Sequence, residues 1–300
     1  MLSVTWDTAH FRRTVCGIVL VLTAQVFGML NSIFLATIAA ATTERASTAR
    51  TVLVTGGSRG IGSAVARRFA SNGDRVIVHY RTSEEAALDT LGSLTPLLDG
   101  SPHLILCEDL SQPGAAERLI SAAVECAGRL DVLVCNHGVY EESPIDSTTP
   151  AQWAASFERV LRTNLAAPAE LAFAASRQMI AQAEGGAICF VSSRGASRGE
   201  PLAPAYGASK AGLNSLTGSL AQALGPHAIR VAAVAPGFVS TAMAATVLAG
   251  PRGDEIRSQS PWGRVGEPTE VADTVFFLAS EGATWCTGAV VDCNGCSYLH

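Results

Sequence analysis

Charge is scarce in this chain. Asp, Glu, Lys and Arg make up only 16% of its 300 residues, and aromatic side chains 6%. The formal net charge is −5, so no basic footprint for nucleic acid is present. The eight cysteines lack the spacing of a disulfide-stapled secreted domain, and several, such as Cys135 and Cys189, fall in apolar runs. Buried free thiols of that kind fit a reducing compartment. Cys293-Asn-Gly-Cys296 is half a zinc site at best and reads as a glycine turn, so no metal is expected. There is no internal repeat and no low-complexity tract.

Charge is missing altogether from residues 14–43. About thirty helical residues would span about 45 Å, more than the roughly 30 Å hydrocarbon core of a bilayer. Three readings of this segment stand: a membrane anchor, a cleaved targeting peptide ending near Ala39-Ala40-Ala41, or an upstream extension before a start at Met29. Membrane tethering is favoured, with a cytoplasmic or organelle-targeted protein as the alternative. Arg12 and Arg13 on one side balance Arg45 and Arg50 on the other, which leaves the orientation undecided.

What is present, with 48% hydrophobic residues, is enough for a large core. From Thr51 onward, short β-branched runs alternate with helical stretches. Strands are expected at Thr51–Thr55, Arg75–Tyr80, His103–Cys107, Asp131–Cys135, Ile188–Val191, Ile229–Val234 and Ala289–Asp292. Helices are expected over 60–71, 83–92, 113–127, 150–183, from Tyr206 to about Leu224, and over 268–280. Continuous apolar strands in repeated β–α units predict a single-domain α/β fold over residues 50–300. The expected fold is a Rossmann-like doubly wound parallel sheet, with residues 1–49 outside it.

Thr55-Gly-Gly-Ser-Arg-Gly-Ile-Gly62 follows the first strand and opens a helix. Glycine there lets the backbone turn sharply and approach a pyrophosphate, while the helix N-terminus offers free N–H groups. An NAD site usually places an acid on the ribose about 20 residues later. Here the second strand ends in Tyr80-Arg81, with no carboxylate, and Arg59 lies in the loop itself. Two guanidiniums can pair with a 2′-phosphate, so NADP(H) is favoured over NAD(H).

Tyr206 and Lys210 lie one helical turn apart, and Ser193 ends an apolar run thirteen residues before the tyrosine. Carbonyl reduction by hydride needs a proton on the oxygen. Free tyrosine, with a pKa of about 10, donates or accepts poorly near neutrality. An ammonium at i+4 is expected to favour the phenolate. A hydroxyl such as Ser193 could orient the substrate oxygen. A Tyr-x-x-x-Lys pair alone is usually a helix-surface feature; its position after a glycine loop is what gives it weight here.

Taken together, these motifs resemble the short-chain dehydrogenase/reductase family, in particular β-ketoacyl-acyl-carrier-protein reductases and related reductases, over about residues 50–298. The resemblance implies four catalytic residues: Asn164, Ser193, Tyr206 and Lys210. It implies cofactor contacts from Gly56, Ser58, Arg59, Gly60, Ile61 and Gly62, then from Tyr80, Arg81, Asp109, Leu110, Asn136 and Gly138. Pro236, Gly237, Val239 and Thr241 would complete the site with Tyr206 and Lys210. The lysine would also bind the nicotinamide ribose, and the chain would form a homo-oligomer.

Three departures from the family pattern stand out. His137 replaces the usual alanine, and no catalytic role is expected for it. The stretch from Trp153 to Asn164 is about four residues longer than usual, which implies an extra turn or bulge. Asn294-Gly295-Cys296 stands where Asp-Gly-Gly is usual. The implied reaction is reduction of a ketone to a secondary alcohol. The alternatives are an NAD-dependent alcohol dehydrogenase working in the oxidising direction and a degenerate NADP(H)-binding scaffold. Met243, Val247, Leu248 and Trp262 are candidate apolar walls for a small-molecule or acyl-thioester carbonyl substrate.

Overall fold

A computed structural model describes residues 49–299. The apolar segment 14–43, with its anchor and targeting readings, lies outside the described residues. Seven parallel strands form one sheet in the order β3-β2-β1-β4-β5-β6-β7. They are β1 (Thr51–Thr55), β2 (Arg75–Tyr80), β3 (Leu104–Cys107), β4 (Val132–Cys135), β5 (Gly186–Val191), β6 (Ile229–Pro236) and β7 (Val290–Cys293).

The strands alternate between two cores, because successive strand side chains point to opposite faces. Val52 and Val54 of β1, Val132 and Val134 of β4, and Cys189 of β5 enter one core. Leu53, Leu133, Ile188 and Phe190 enter the other. The first core is covered by α1 (Gly60–Ala70), through Val65 and Phe69, and by α10 (Pro268–Leu278), through Val271, Val275 and Leu278. α2 (Glu84–Gly92) adds Ala87 to it. The second core is covered by α3 (Ala115–Ala127), α5 (Ala167–Gln182) and α7 (Pro204–Leu224), through Leu119, Leu171, Met179 and Leu213. With helices on both faces, each strand is apolar on both sides, which is why the runs read as continuous.

The expected long helix over 150–183 is interrupted. α4 (Pro150–Leu161) starts at a Thr149–Gln152 capping box and gives way to a π-helical segment, Arg162–Ala166, before α5. This is the bulge that the long Trp153–Asn164 stretch implied, and it falls on Asn164 itself. A π segment inserts one residue into the helical ladder, so it re-aims the side chain it carries.

The segment from Gly237 to Arg264, expected as a substrate loop, holds two short helices, α8 (Ala242–Ala249) and α9 (Gly253–Ser258). α8 has no buried residue; its apolar side chains lie all round, so no 3.6-residue period marked it. A single turn, α6 (Gly195–Arg198), links β5 to α7. Strand order reverses between β1 and β4, and the crevice above their carboxyl ends is where such sheets bind ligands.

Candidate active site

The turn after β1 has the conformation that its glycines allow. Gly56 and Gly60 have φ of +60° and +56°, in the left-handed region that side chains disfavour. Gly62 is needed for a different reason: a Cβ there would overlap the Gly56 carbonyl oxygen and Asn136 Nδ2. Asn136 pins this turn, its Nδ2 donating to the carbonyls of Thr55 at 3.1 Å and Gly56 at 3.0 Å. α1 begins at Arg59 without a side-chain cap and without an acid in its first turn. Its free N–H groups and dipole are therefore available to a phosphate. Across the crevice, the Thr241 methyl would lie 3.2 Å from a Cβ on Gly60. These features fit a dinucleotide.

The guanidiniums of Arg59 and Arg81 are exposed and form no ion pair among the described residues. The Asp109 carboxylate accepts from the Ser111 N–H at 3.0 Å and the Ser111 hydroxyl at 2.8 Å. These bonds, the hydroxyl's first, hold it below the usual carboxylate range. Leu110 and Val239 are buried. The ring of Tyr80 lies within the first core, and the side chain of β2 that hydrogen-bonds to the glycine turn is its neighbour.

That neighbour is His79, which sequence reasoning missed. Its Nδ1 accepts from the Gly56 N–H at 3.1 Å, and its Nε2 lies 3.0 Å from the Glu108 carbonyl. Accepting at Nδ1 assigns the proton to Nε2, which donates to that carbonyl. Burial pushes its pKa down, so the ring stays neutral. His137 stands beside it, ring centroids 6.4 Å apart, with Nδ1 2.8 Å from Thr55 Oγ1. Burial pushes His137 down to about 3. Two neutral imidazoles thus support the start of the turn. A histidine inside an apolar strand was the available signal, and strand period alone did not say which face it takes.

The four residues expected to be catalytic come from three places in the fold, the π segment (Asn164), the turn after β5 (Ser193) and α7 (Tyr206 and Lys210), and converge. A Cβ on Gly138 would lie 3.2 Å from Asn164 Oδ1 and 3.7 Å from Lys210 Nζ. Asn164 is fully buried, exchanging 2.8 Å bonds with the N–H and carbonyl of Val139. Its Nδ2 also reaches Ser209 Oγ at 3.3 Å. Lys210 Nζ donates to the Val191 carbonyl at 2.8 Å, at the end of β5, and lies 5.8 Å from the Tyr206 ring centroid. Tyr206 makes an edge-to-face contact with Tyr140, centroids 5.1 Å apart. Ser192 is taken up by the core, its hydroxyl donating to Asn214 Oδ1 at 2.6 Å. Ser193, one residue on, accepts from the Gly195 N–H at 3.0 Å and interacts with the Tyr206 phenol.

One electrostatic expectation is corrected here. The Lys210 ammonium was expected to draw the Tyr206 phenol toward its anion. Instead burial pushes the phenol up, with Ser193 opposing it only in part. The same burial pulls Lys210 down to about 8. In a dry site, loss of hydration acts on both groups, and it disfavours phenolate and ammonium alike. The phenol is therefore held in its proton-bearing form.

The chain matches a family model described as enoyl-(acyl carrier protein) reductase over residues 56–295. It is 37% identical to an L-rhamnose 1-dehydrogenase (NAD(P)(+)) of Azotobacter vinelandii, over 82% of this chain and 95% of that one. It is 33% identical to a 3-oxoacyl-[acyl-carrier-protein] reductase of Staphylococcus aureus, over 83% and 98%. A short-chain dehydrogenase from Burkholderia cenocepacia in complex with NADP has the same fold, with a TM-score of 0.73 and 30% identity over 83% of this chain and 97% of that one. Its relatives are dehydrogenases and reductases acting on alcohol or carbonyl groups with nicotinamide cofactors, and the chain belongs to the short-chain dehydrogenase/reductase family.

Proposed function

We propose that the protein is an NADP(H)-dependent reductase that converts a ketone into a secondary alcohol, with Tyr206 as proton donor. The observation that carries this reading is the meeting of Asn164 and Lys210 at Gly138, next to a Tyr206 held in its protonated form. When bound, the reduced nicotinamide supplies hydride to the carbonyl carbon. Ser193 and Tyr206 present two hydroxyls to the carbonyl oxygen, and the phenol gives up its proton as negative charge grows there. Lys210 binds the ribose and supplies positive charge beside the phenol. Asn164 holds the loop after β4 through Val139 and so sets where Gly138 lies.

Arg59 and Arg81, exposed and without an ion pair among the described residues, support a preference for the 2′-phosphate of NADP(H). A homo-oligomer belongs to the same reading; Phe173, 63% exposed on α5, supports it. The relative named as an L-rhamnose 1-dehydrogenase favours a second reading, in which the same residues work in reverse on an alcohol.

The test is NADPH consumption with a panel of ketones, repeated with Tyr206→Phe. That variant is expected to bind NADPH as the wild type does and to lose at least about 100-fold in kcat. Wild-type turnover by Tyr206→Phe rejects the assignment.

A further inference from the structure

Tyr206 stands in the least self-supported part of its helix. It is the third residue of α7, and that first turn has no side-chain cap. N–H groups in a first turn lack partners within the helix, so the turn holds its side chains less firmly than later turns do. Ser209 fixes the backbone there, its hydroxyl donating to the Tyr206 carbonyl at 2.7 Å. That bond does not reach the phenol ring. The ring is met by Tyr140, edge-to-face, with centroids 5.1 Å apart and planes at 68°.

Tyr140 belongs to the loop after β4, and both of its neighbours are anchored. Val139, before it, exchanges 2.8 Å bonds with the Asn164 amide. Glu141, after it, accepts from Arg159 at 2.9 and 2.6 Å and from the Ser156 hydroxyl at 3.1 Å, both on α4. Two residues further on, the Ser143 N–H donates to the Leu202 carbonyl at 2.8 Å, which joins the loop to the segment leading into α7. The chain around Tyr140 is therefore tied to the π segment, to α4 and to the approach to Tyr206.

A ring held between two fixed neighbours has few ways to move, and an edge-to-face pair favours one relative setting. The Tyr140 hydroxyl makes no hydrogen bond among the described residues. Its ring, and not its hydroxyl, is what touches the phenol.

We infer that Tyr140 is a positioning residue for the proton transfer: clamped through Val139 and Glu141, its ring holds that of Tyr206 in the setting from which the phenol reaches the substrate oxygen. This rests on the reading of Tyr206 as proton donor. A phenol displaced by about 1 Å loses much of its rate.

The probe is whichever of ethyl acetoacetate, cyclohexanone and acetophenone wild type reduces fastest with NADPH. Tyr140→Ala is expected to lower kcat about tenfold and to leave the Kd for NADPH within about twofold. Tyr140→Leu, which fills the space without a ring, should fall nearly as far, and Tyr140→Phe should keep kcat within about threefold of wild type. Arg159 is exposed on α4 and reaches the site only through Glu141. Arg159→Met should lower kcat about threefold in the wild type and not at all in Tyr140→Ala, where the clamp has no ring to hold. Wild-type kcat in Tyr140→Ala or Tyr140→Leu overturns the inference. So does an equal loss in Tyr140→Phe, or a loss from Arg159→Met that adds to that of Tyr140→Ala. With Tyr206→Phe inactive in the same assay, the reductase reading then stands. Reduction of none of the probes by wild type that binds NADPH removes both.

Discussion

Lys210 and Tyr206 titrate in this site in the reverse of their order in water. Burial brings the ammonium down to about 8 and pushes the phenol up. Tyr206 therefore keeps its proton across the neutral range, and Lys210 is the first of the two to lose one as pH rises. The kcat/KM for reduction is expected to fall along an alkaline limb centred near pH 8, set by Lys210. A profile flat to above about pH 10, the free tyrosine value, would assign the limb to the phenol instead. The same shift acts on stability. Below about 8 both folded and unfolded Lys210 are protonated, and the burial penalty is fully present. As pH rises past that value the unfolded chain binds more protons than the folded one, so Lys210's contribution shifts toward greater stability. At the other end of the crevice, replacing both Arg59 and Arg81 with alanine should raise the KM for NADPH by about tenfold or more and leave that for NADH within about twofold. Equal effects on the two cofactors would remove the arginines from the 2′-phosphate site.

The elements that carry these residues were legible to different degrees. β1, β2, β4 and β6 stood out because they are buried on both faces, and α1 because it follows a glycine turn. The π segment could be anticipated only as extra length, since its register depends on how α4 and α5 pack. α8 was hidden because nothing in its Ala-rich, exposed sequence sets a period. A tight local constraint lies between the turn and α1. Gly62→Ala puts a methyl into the Gly56 carbonyl and the Asn136 amide, so either the helix or the turn must move. The expected result is a fold that survives with a lowered Tm and NADPH affinity reduced by at least about tenfold, because the phosphate-binding N–H groups are displaced. Wild-type affinity in that variant would show that the turn yields without cost.

At the scale of the whole molecule, the described sheet and its two helix layers hold every residue assigned to the chemistry, and the apolar segment 14–43 contributes none of them. We propose that this segment, where retained, tethers the enzyme to a membrane. A chain starting at Glu44 should be soluble and keep the full-length kcat, while the full-length chain should resist carbonate extraction from membranes. Soluble full-length protein with an intact N-terminus by mass spectrometry rejects the tether. Soluble protein lacking the first forty or so residues instead favours a cleaved peptide or a later start.

Sequence by itself determined the fold class and the main motifs. Strand period and glycine spacing are local properties, and Tyr206 and Lys210 are held together by a single helical turn. Packing shows why Ser193 and not its neighbour Ser192 meets the phenol: the Ser192 hydroxyl is spent on Asn214, and the Ser193 hydroxyl faces Tyr206. The rest depended on which distant side chains share a dry space. His79 and His137 come from β2 and the end of β4, and only the parallel register on either side of β1 brings them under one turn. The direction of the Tyr206 and Lys210 shifts followed from the same cause, since hydration is lost to neighbours that the chain supplies from far along its length and that no spacing rule reveals.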